Sequence, residues 1–245
     1  MSAHVAVVAG ASGALGQATT AILAASGLTV VAVNRAGDPL RELPDGARRE
    51  VADATDPAAT KNVIDRIADE VGPPDVLVNT IGAFLPGDTL STAPETLRVM
   101  IDVNLGPALW LTQAVAPYMR QLGSGAIVHV AAGAGLEPSG GMAAYATSKA
   151  ALVHLTRVLD VELRPHGIRV NAVAPQLLDT PDNRGVFPAG VMKKAVAPEA
   201  IGDVIAFLVS DAAAPVSGAI LPAYGGASLD ELFQGVSDRR QGAIA

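Results

Sequence analysis

Cysteine is absent from all 245 residues, which excludes disulfides, thiolate catalysis and thiolate metal sites and permits a reducing compartment. Basic residues are outnumbered: 17 Lys and Arg against 24 Asp and Glu give a net charge of -7 and a pI near 5.0. Phosphate backbones call for a basic surface, so nucleic acid is not expected as a partner. No run approaches the ~20 apolar residues of a membrane span, so no membrane association is expected. No basic segment precedes a long apolar run at the N-terminus, and Val5 to Ala9 reads as a core strand before Gly10 rather than an export signal. These absences predict a cytoplasmic protein. The histidines, His4, His129, His154 and His166, are scattered without ligand spacing, and no metal site is predicted. His129, on an apolar strand, reads as a core histidine.

Half the residues are hydrophobic and only 3% aromatic, with 25 glycines and 17 prolines, a composition suited to an Ala/Val/Leu-rich α/β protein with many turns. Short apolar β-branched runs predict strands at 4–9, 28–34, 47–52, 75–79, 125–131, 168–174 and 219–223. Helical patterns at 14–26, 57–71, 95–121, 142–164 and 198–210 lie between them. Nearly all-apolar strands belong to a parallel sheet covered on both faces. The alternation therefore predicts a single-domain, doubly wound α/β fold with a seven-stranded parallel sheet and helices on both faces. Asp56-Pro57 reads as an N-cap with proline at the first helical position, and Pro165 and Gly167 end the helix that contains Lys149. Residues 1–227 are expected to form the domain. Residues 228–245, ending in Arg239-Arg240-Gln241-Gly242 and Ala243 to Ala245, are expected to form a polar tail.

The first strand runs into Ala9-Gly10-Ala11-Ser12-Gly13-Ala14-Leu15-Gly16, and a helix follows. In that context glycines permit a tight turn at Gly10 and close helix packing at Gly16, with backbone N–H groups facing an anion. The place where such folds hold a ribose with a carboxylate reads Asn34-Arg35. Arg35 can pair with a 2′-phosphate, which favours NADP(H) and leaves NAD(H) open, with Asp38 folding back onto the ribose. Asp53, next to Ala54, is placed either to accept from the adenine amino group or to cap a helix. Further on, Tyr145-Ala146-Thr147-Ser148-Lys149 places a phenol and an ammonium about one helical turn apart. A nearby cation lowers an acid's pKa, so this phenol suits proton transfer to or from an alcohol or carbonyl oxygen.

Together these residues resemble the short-chain dehydrogenase/reductase family over residues 4–226. The glycine motif is Ala9 to Gly16, with Ala14 in place of the middle glycine and Gly13 before it. Asn79-Thr80-Ile81-Gly82 is similar to the family's Asn-Asn-Ala-Gly, and Asn104 to its helix asparagine. Tyr145 and Lys149 match Tyr-x-x-x-Lys, while Pro175 and Thr180 match Pro-Gly-x-x-x-Thr with Gln176 replacing glycine. The resemblance implies a Rossmann fold and Tyr145 as general acid/base. It implies that Lys149 binds the nicotinamide ribose and lowers the Tyr145 pKa, and that Asn104 completes a proton relay. Gly10, Ser12, Gly13, Leu15, Gly16, Asn34, Arg35, Asp53, Ala54, Asn79, Gly82, Pro175 and Thr180 would join Tyr145 and Lys149 around NADP(H) or NAD(H). It also implies a homodimer or homotetramer packed through helices 95–121 and 142–164.

One position departs. Thirteen residues before the tyrosine, the family serine that donates to the reacting oxygen is Ala132. Loss of one such donor slows a reaction by about 10²–10³. Three readings follow. An activated substrate needs no donor: dihydropteridine reductases, a branch of the family, also carry alanine here, and the chain resembles them in Leu178 to Arg184 and in Gly141-Met142. Alternatively Ser139 or Thr80 replaces the serine, or the chain binds nucleotide without catalysis. Residues 181–197 are expected to form a short lid, with Val186, Phe187 and Met192 as an apolar wall over a small-molecule substrate.

Overall fold

The computed structural model describes residues 4–38, 43–138, 140–226 and 228. Seven strands, β1 (Val5–Ala9), β2 (Thr29–Asn34), β3 (Arg48–Val51), β4 (Val76–Asn79), β5 (Gly125–Val130), β6 (Ile168–Pro175) and β7 (Ile220–Ala223), form one parallel sheet in the order β3-β2-β1-β4-β5-β6-β7. The helices are α1 (Ala14–Ala25), α2 (Pro57–Glu70), α3 (Pro94–Asn104), α4 (Gly106–Leu122), α5 (Ala143–Leu163), α6 (Pro181–Val186), α7 (Ala189–Met192) and α8 (Pro198–Val209). Strand side chains alternate between the two faces. Val5, Val7 and Ala9 pack with Ile64 of α2, Leu111 and Val115 of α4, and Leu159 of α5. Ala6 and Val8 pack with Leu15 and Leu23 of α1 and Ile201 and Ile205 of α8. Both faces of β1 are covered, which is why its sequence is apolar without interruption.

The local signals act as read. Asp56 accepts from the N–H groups of Ala58 (2.8 Å) and Ala59 (3.2 Å), and Pro57 opens α2. Gly167, at φ 76°, closes the turn after α5. The pattern at 95–121 is two helices rather than one. Pro107 has no N–H to continue the ladder from α3 and disfavours helical backbone before it, so the chain breaks at Leu105 and restarts at Gly106. These helices, taken as one stretch from Pro94 to Leu122, include an 18-residue window with a mean hydropathy of 1.2, 44% of it buried against the rest of the fold. Residues 181–197 contain α6 and α7, with Thr180 as the N-cap of α6, accepting from Asn183 N–H at 3.2 Å. All but the first residue of the polar tail lies outside the described residues.

The strand order reverses beside β1, whose neighbours are β2 and β4. Ligands of open parallel sheets bind at the carboxyl ends of strands at such a reversal. Gly10, Asn34 and Thr80 follow or end those three strands, so this one edge gathers the nucleotide motifs.

Candidate active site

The glycine turn is fixed by three sets of contacts. Gly10 N–H donates to Val33 O at 2.9 Å, Gly13 N–H to Gly10 O at 3.1 Å, and the Thr80 hydroxyl to the carbonyls of Ala9 (2.9 Å) and Gly10 (3.1 Å). Gly10 has φ 83°, and a Cβ on it would stand 2.7 Å from Thr80 Oγ1. A Cβ on Gly16 would collide with the Gly10 carbonyl, so α1 can approach the turn only with glycine there. Gly13 is exposed, and a Cβ on it would meet only Gly10 O at 3.5 Å. The protein itself therefore leaves room at Gly13 for a side chain. Helix α1 starts without a side-chain cap, directly after Gly10, Ser12 and Gly13, which line the groove. This set suits the phosphates of a dinucleotide.

A cavity of about 280 Å³ continues from this turn past Asn34, Arg35, Asp53 and Ala54 to Gly82. Asn34 is buried and donates to Arg35 O at 2.9 Å, while its Oδ1 has no partner among the described residues. Such an acceptor fits a hydroxyl or amino donor of a bound nucleotide. Arg35 reaches the Asp38 carboxylate through Nε and Nη2, each at 3.4 Å, and Ser12 Oγ donates to the same carboxylate at 3.4 Å. Asp53 Oδ1 accepts from Thr55 N–H (2.9 Å) and Thr55 Oγ1 (2.7 Å), bonds that hold its carboxyl below the usual range. Helix α2 is capped by Asp56, so Asp53 is not the cap and its Oδ1 closes the turn to Thr55.

The groove meets a second cavity of about 310 Å³ at Gly82 and Ala83. Tyr145, Lys149, Ala132, Pro175, Gln176 and Phe187 line it. Lys149 is buried at 4% exposure and donates from Nζ to Val130 O at 2.9 Å, at the end of β5. Burial pushes its pKa down to about 8. The Tyr145 phenol makes no hydrogen bond among the described residues, and burial pushes it up to about 12. The expected lowering of this phenol by Lys149 does not govern the protein alone, where desolvation is the cause that counts. The ring of Phe84 meets Tyr145 edge to face, with centroids 4.9 Å apart and planes at 88°.

Asn104 is buried and fully engaged. Its Oδ1 accepts from Ala83 N–H (2.9 Å), and its Nδ2 donates to Ala83 O (3.0 Å) and Ser148 Oγ (3.0 Å). Ser148 Oγ donates in turn to Tyr145 O at 2.7 Å. The asparagine thus clamps the 82–83 segment to the Tyr145 helix.

Several residues sit elsewhere than their motifs suggest. Leu15 packs in the core against the sheet, leaving its backbone as what it can offer a nucleotide. Asn79 is buried and accepts from Ile81 N–H at 3.1 Å, shaping the turn that presents Gly82. Thr80 spends its hydroxyl on the glycine turn and lines the nucleotide groove, so it does not replace the serine at Ala132. Ser139 lies outside the described residues. Of the apolar wall, Phe187 is buried in the cleft, Met192 packs behind it, and Val186 is exposed. Phe84 and Ser148 are site residues that the sequence alone does not single out. Ser148 carries a legible signal, lying three residues after Tyr145 on the same helix, whereas Phe84 carries none.

The model of the short chain dehydrogenase family matches residues 4–189, and the chain belongs to that family. It is an NAD(P)-dependent oxidoreductase. A cis-4-hydroxycyclohexanecarboxylate dehydrogenase of Sinomonas cyclohexanicum is 37% identical over 239 residues, covering 91% of this chain and 96% of that one. A 3-oxoacyl acyl-carrier-protein reductase of Thermotoga maritima is 32% identical over 248 residues, with 92% and 98% covered. The fold is similar to that of an actinorhodin polyketide ketoreductase solved with NADPH, at a TM-score of 0.85 and 27% identity over 91% of this chain and 97% of that one.

Proposed function

We propose that the protein is an NADP(H)-preferring reductase of a small carbonyl or quinonoid or imine-like substrate, with Tyr145 as general acid/base. The observation that carries this reading is the meeting of two cavities at Gly82 and Ala83, one lined by the glycine turn and the other by Tyr145 and Lys149. NADPH supplies a hydride when bound. The phenol holds the matching proton: with a pKa near 12 it is protonated at neutral pH and lines the cleft. Lys149, anchored to Val130 O, keeps its remaining N–H donors for the ribose and the phenol. Asn104 holds the 82–83 segment in place beside them. Replacing Tyr145 with Phe should abolish nearly all turnover while NADPH affinity stays; retained turnover would sink the assignment.

The cofactor reading rests on Arg35, whose side chain is 66% exposed and loosely paired with Asp38. A 2′-phosphate offers it a stronger partner than a carboxylate at 3.4 Å. The second reading, NAD(H), is favoured by the same Asp38 carboxylate, which lines the groove and can accept from ribose hydroxyls. Ala132, together with Leu178 to Arg184, supports an activated acceptor of the dihydropteridine kind. We also place the chain in the cytoplasm, without nucleic-acid or membrane partners, on its acidic charge and cysteine-free composition. A homodimer or homotetramer through α3, α4 and α5 is supported by exposed Leu97, Val99, Val158 and Val161.

A further inference from the structure

Among the described residues, four polar side chains line the cleft: Tyr145, Lys149, Asn183 and Gln176. The amide of Asn183 is committed, donating from Nδ2 to Leu178 O at 2.8 Å, and Lys149 is tied to Val130 O. Gln176 differs from both. Its Nε2 makes no hydrogen bond among the described residues, and its Oε1 is buried without a partner. A buried amide oxygen without a partner loses its water and gains nothing in return. A carboxamide with neither end engaged, in the wall of a cleft, is a recognition group with its ligand still to come.

Its placement is specific. Gln176 follows Pro175 at the end of β6, and its carboxamide lies over the backbone of Gly133, the residue after Ala132. A Cβ on Gly133 would stand 2.6 Å from Gln176 Oε1, 3.4 Å from its Cδ and 3.1 Å from Tyr224 Cε1. Glycine at 133 is therefore what admits the amide, and the Tyr224 ring borders the same spot. Ala132 itself is buried in the cleft wall with no donor to offer.

From this juxtaposition we infer that Gln176 donates, through Nε2, the hydrogen bond to the substrate's reacting oxygen that Ala132 cannot make. The inference rests on the reductase reading above. No proton is transferred by the amide: it orients and polarises the oxygen, and the proton comes from Tyr145. With Oε1 turned in over Gly133, the amide presents its donor end to the cleft.

The test follows NADPH oxidation at 340 nm with a small ketone, an ortho-quinone and a quinonoid dihydropterin. The proteins are the wild type, Gln176→Leu, Ala132→Ser and the double variant, and NADPH Kd is measured for each by fluorescence. Gln176→Leu should lower kcat/KM by about 10²-fold or more with the NADPH Kd nearly unchanged. Ala132→Ser should recover at least about tenfold in the Gln176→Leu background while adding little to the wild type. Three results overturn the assignment: a Gln176→Leu rate close to wild type, equal gains from Ala132→Ser in both backgrounds, or parallel loss of turnover and NADPH affinity. Absence of wild-type turnover on all three acceptors overturns the reductase reading and this inference with it, a result distinct from the others.

Discussion

Asn104 Oδ1 and Lys149 Nζ each lie 3.0 Å from the point where a Cβ of Gly82 would stand. The two groups thus face each other across a gap that only glycine leaves open. A methyl there makes the asparagine or the lysine give way by a few tenths of an ångström, against the bonds they make to Ala83 N–H and Val130 O. Gly82→Ala should lower kcat, by less than the ~10²-fold that a full ångström's misplacement of a catalytic group costs. Steady-state kinetics with either nicotinamide nucleotide checks this, and unchanged kcat would remove Gly82 from the site's geometry.

The pH profile follows from burial. Lys149 is charged below about 8 and Tyr145 protonated below about 12. With Tyr145 as proton donor and the Lys149 charge assisting it, as proposed, the reductive rate should be level at neutral pH and fall as pH rises through about 8. Lys149→Met should lower the plateau and erase that step. A step at the same pH in the Lys149→Met variant would assign the titration to another group.

The proposed cofactor choice is tested at two residues. Arg35→Ala should weaken NADPH by about tenfold or more, the scale of a lost hydrogen bond to a charged group, and leave NADH nearly untouched. Asp38→Asn should act in the opposite sense, favouring NADPH, because it removes a negative charge from the groove beside Ser12 and Arg35. Equal shifts for both nucleotides in either variant would refute the assignment of these positions.

His129 predicts an acid response. It is fully buried on β5, with Nδ1 unpartnered, and burial pushes its pKa down to about 3. An unfolded chain takes up a proton near 6.5 while the folded one does not. Stability should therefore fall as pH drops from about 6.5 towards 3, by about 1.4 kcal/mol per unit from this residue. Chemical denaturation of His129→Asn at about pH 7 and about pH 4.5, a pair that brackets most of this window, should show a smaller loss than wild type. An identical loss would mean that the histidine is protonated in the folded protein.

Gly16→Ala tests how tightly α1 packs on the glycine turn. The added methyl meets the Gly10 carbonyl and Ala11 Cα. Overpacking of this kind costs about 1–3 kcal/mol, which should lower Tm by several degrees. An unchanged Tm would show that α1 can slide away from the turn.

The sheet is legible in the sequence because double burial writes itself into β1, β2 and β5 as nearly unbroken apolar runs, each bounded by a turn residue. The Tyr145 and Lys149 pair is legible because helix geometry turns a four-residue spacing into neighbours. What cannot be read depends on distant parts of the chain meeting. Pro107 is compatible with either a kink or a restart, and packing of α3 against α5 and α4 against α2 decides for the restart. Gln176 looks in sequence like a simple loss of glycine. Its meaning arises only once β6 brings it over Gly133, far away along the chain. Thr80 looks available until its hydroxyl is found on the carbonyls of Ala9 and Gly10.

That threonine has a mechanical consequence. Through it, the loop where phosphates would rest is stitched to the strand end that carries Gly82, and Asn104 stitches the next residue to the tyrosine helix through Ser148. A push on the glycine loop is thereby carried along a chain of short polar links to the helix of Tyr145 and Lys149. On the proposed reading, holding the nucleotide and positioning the Tyr145 phenol draw on the same set of links.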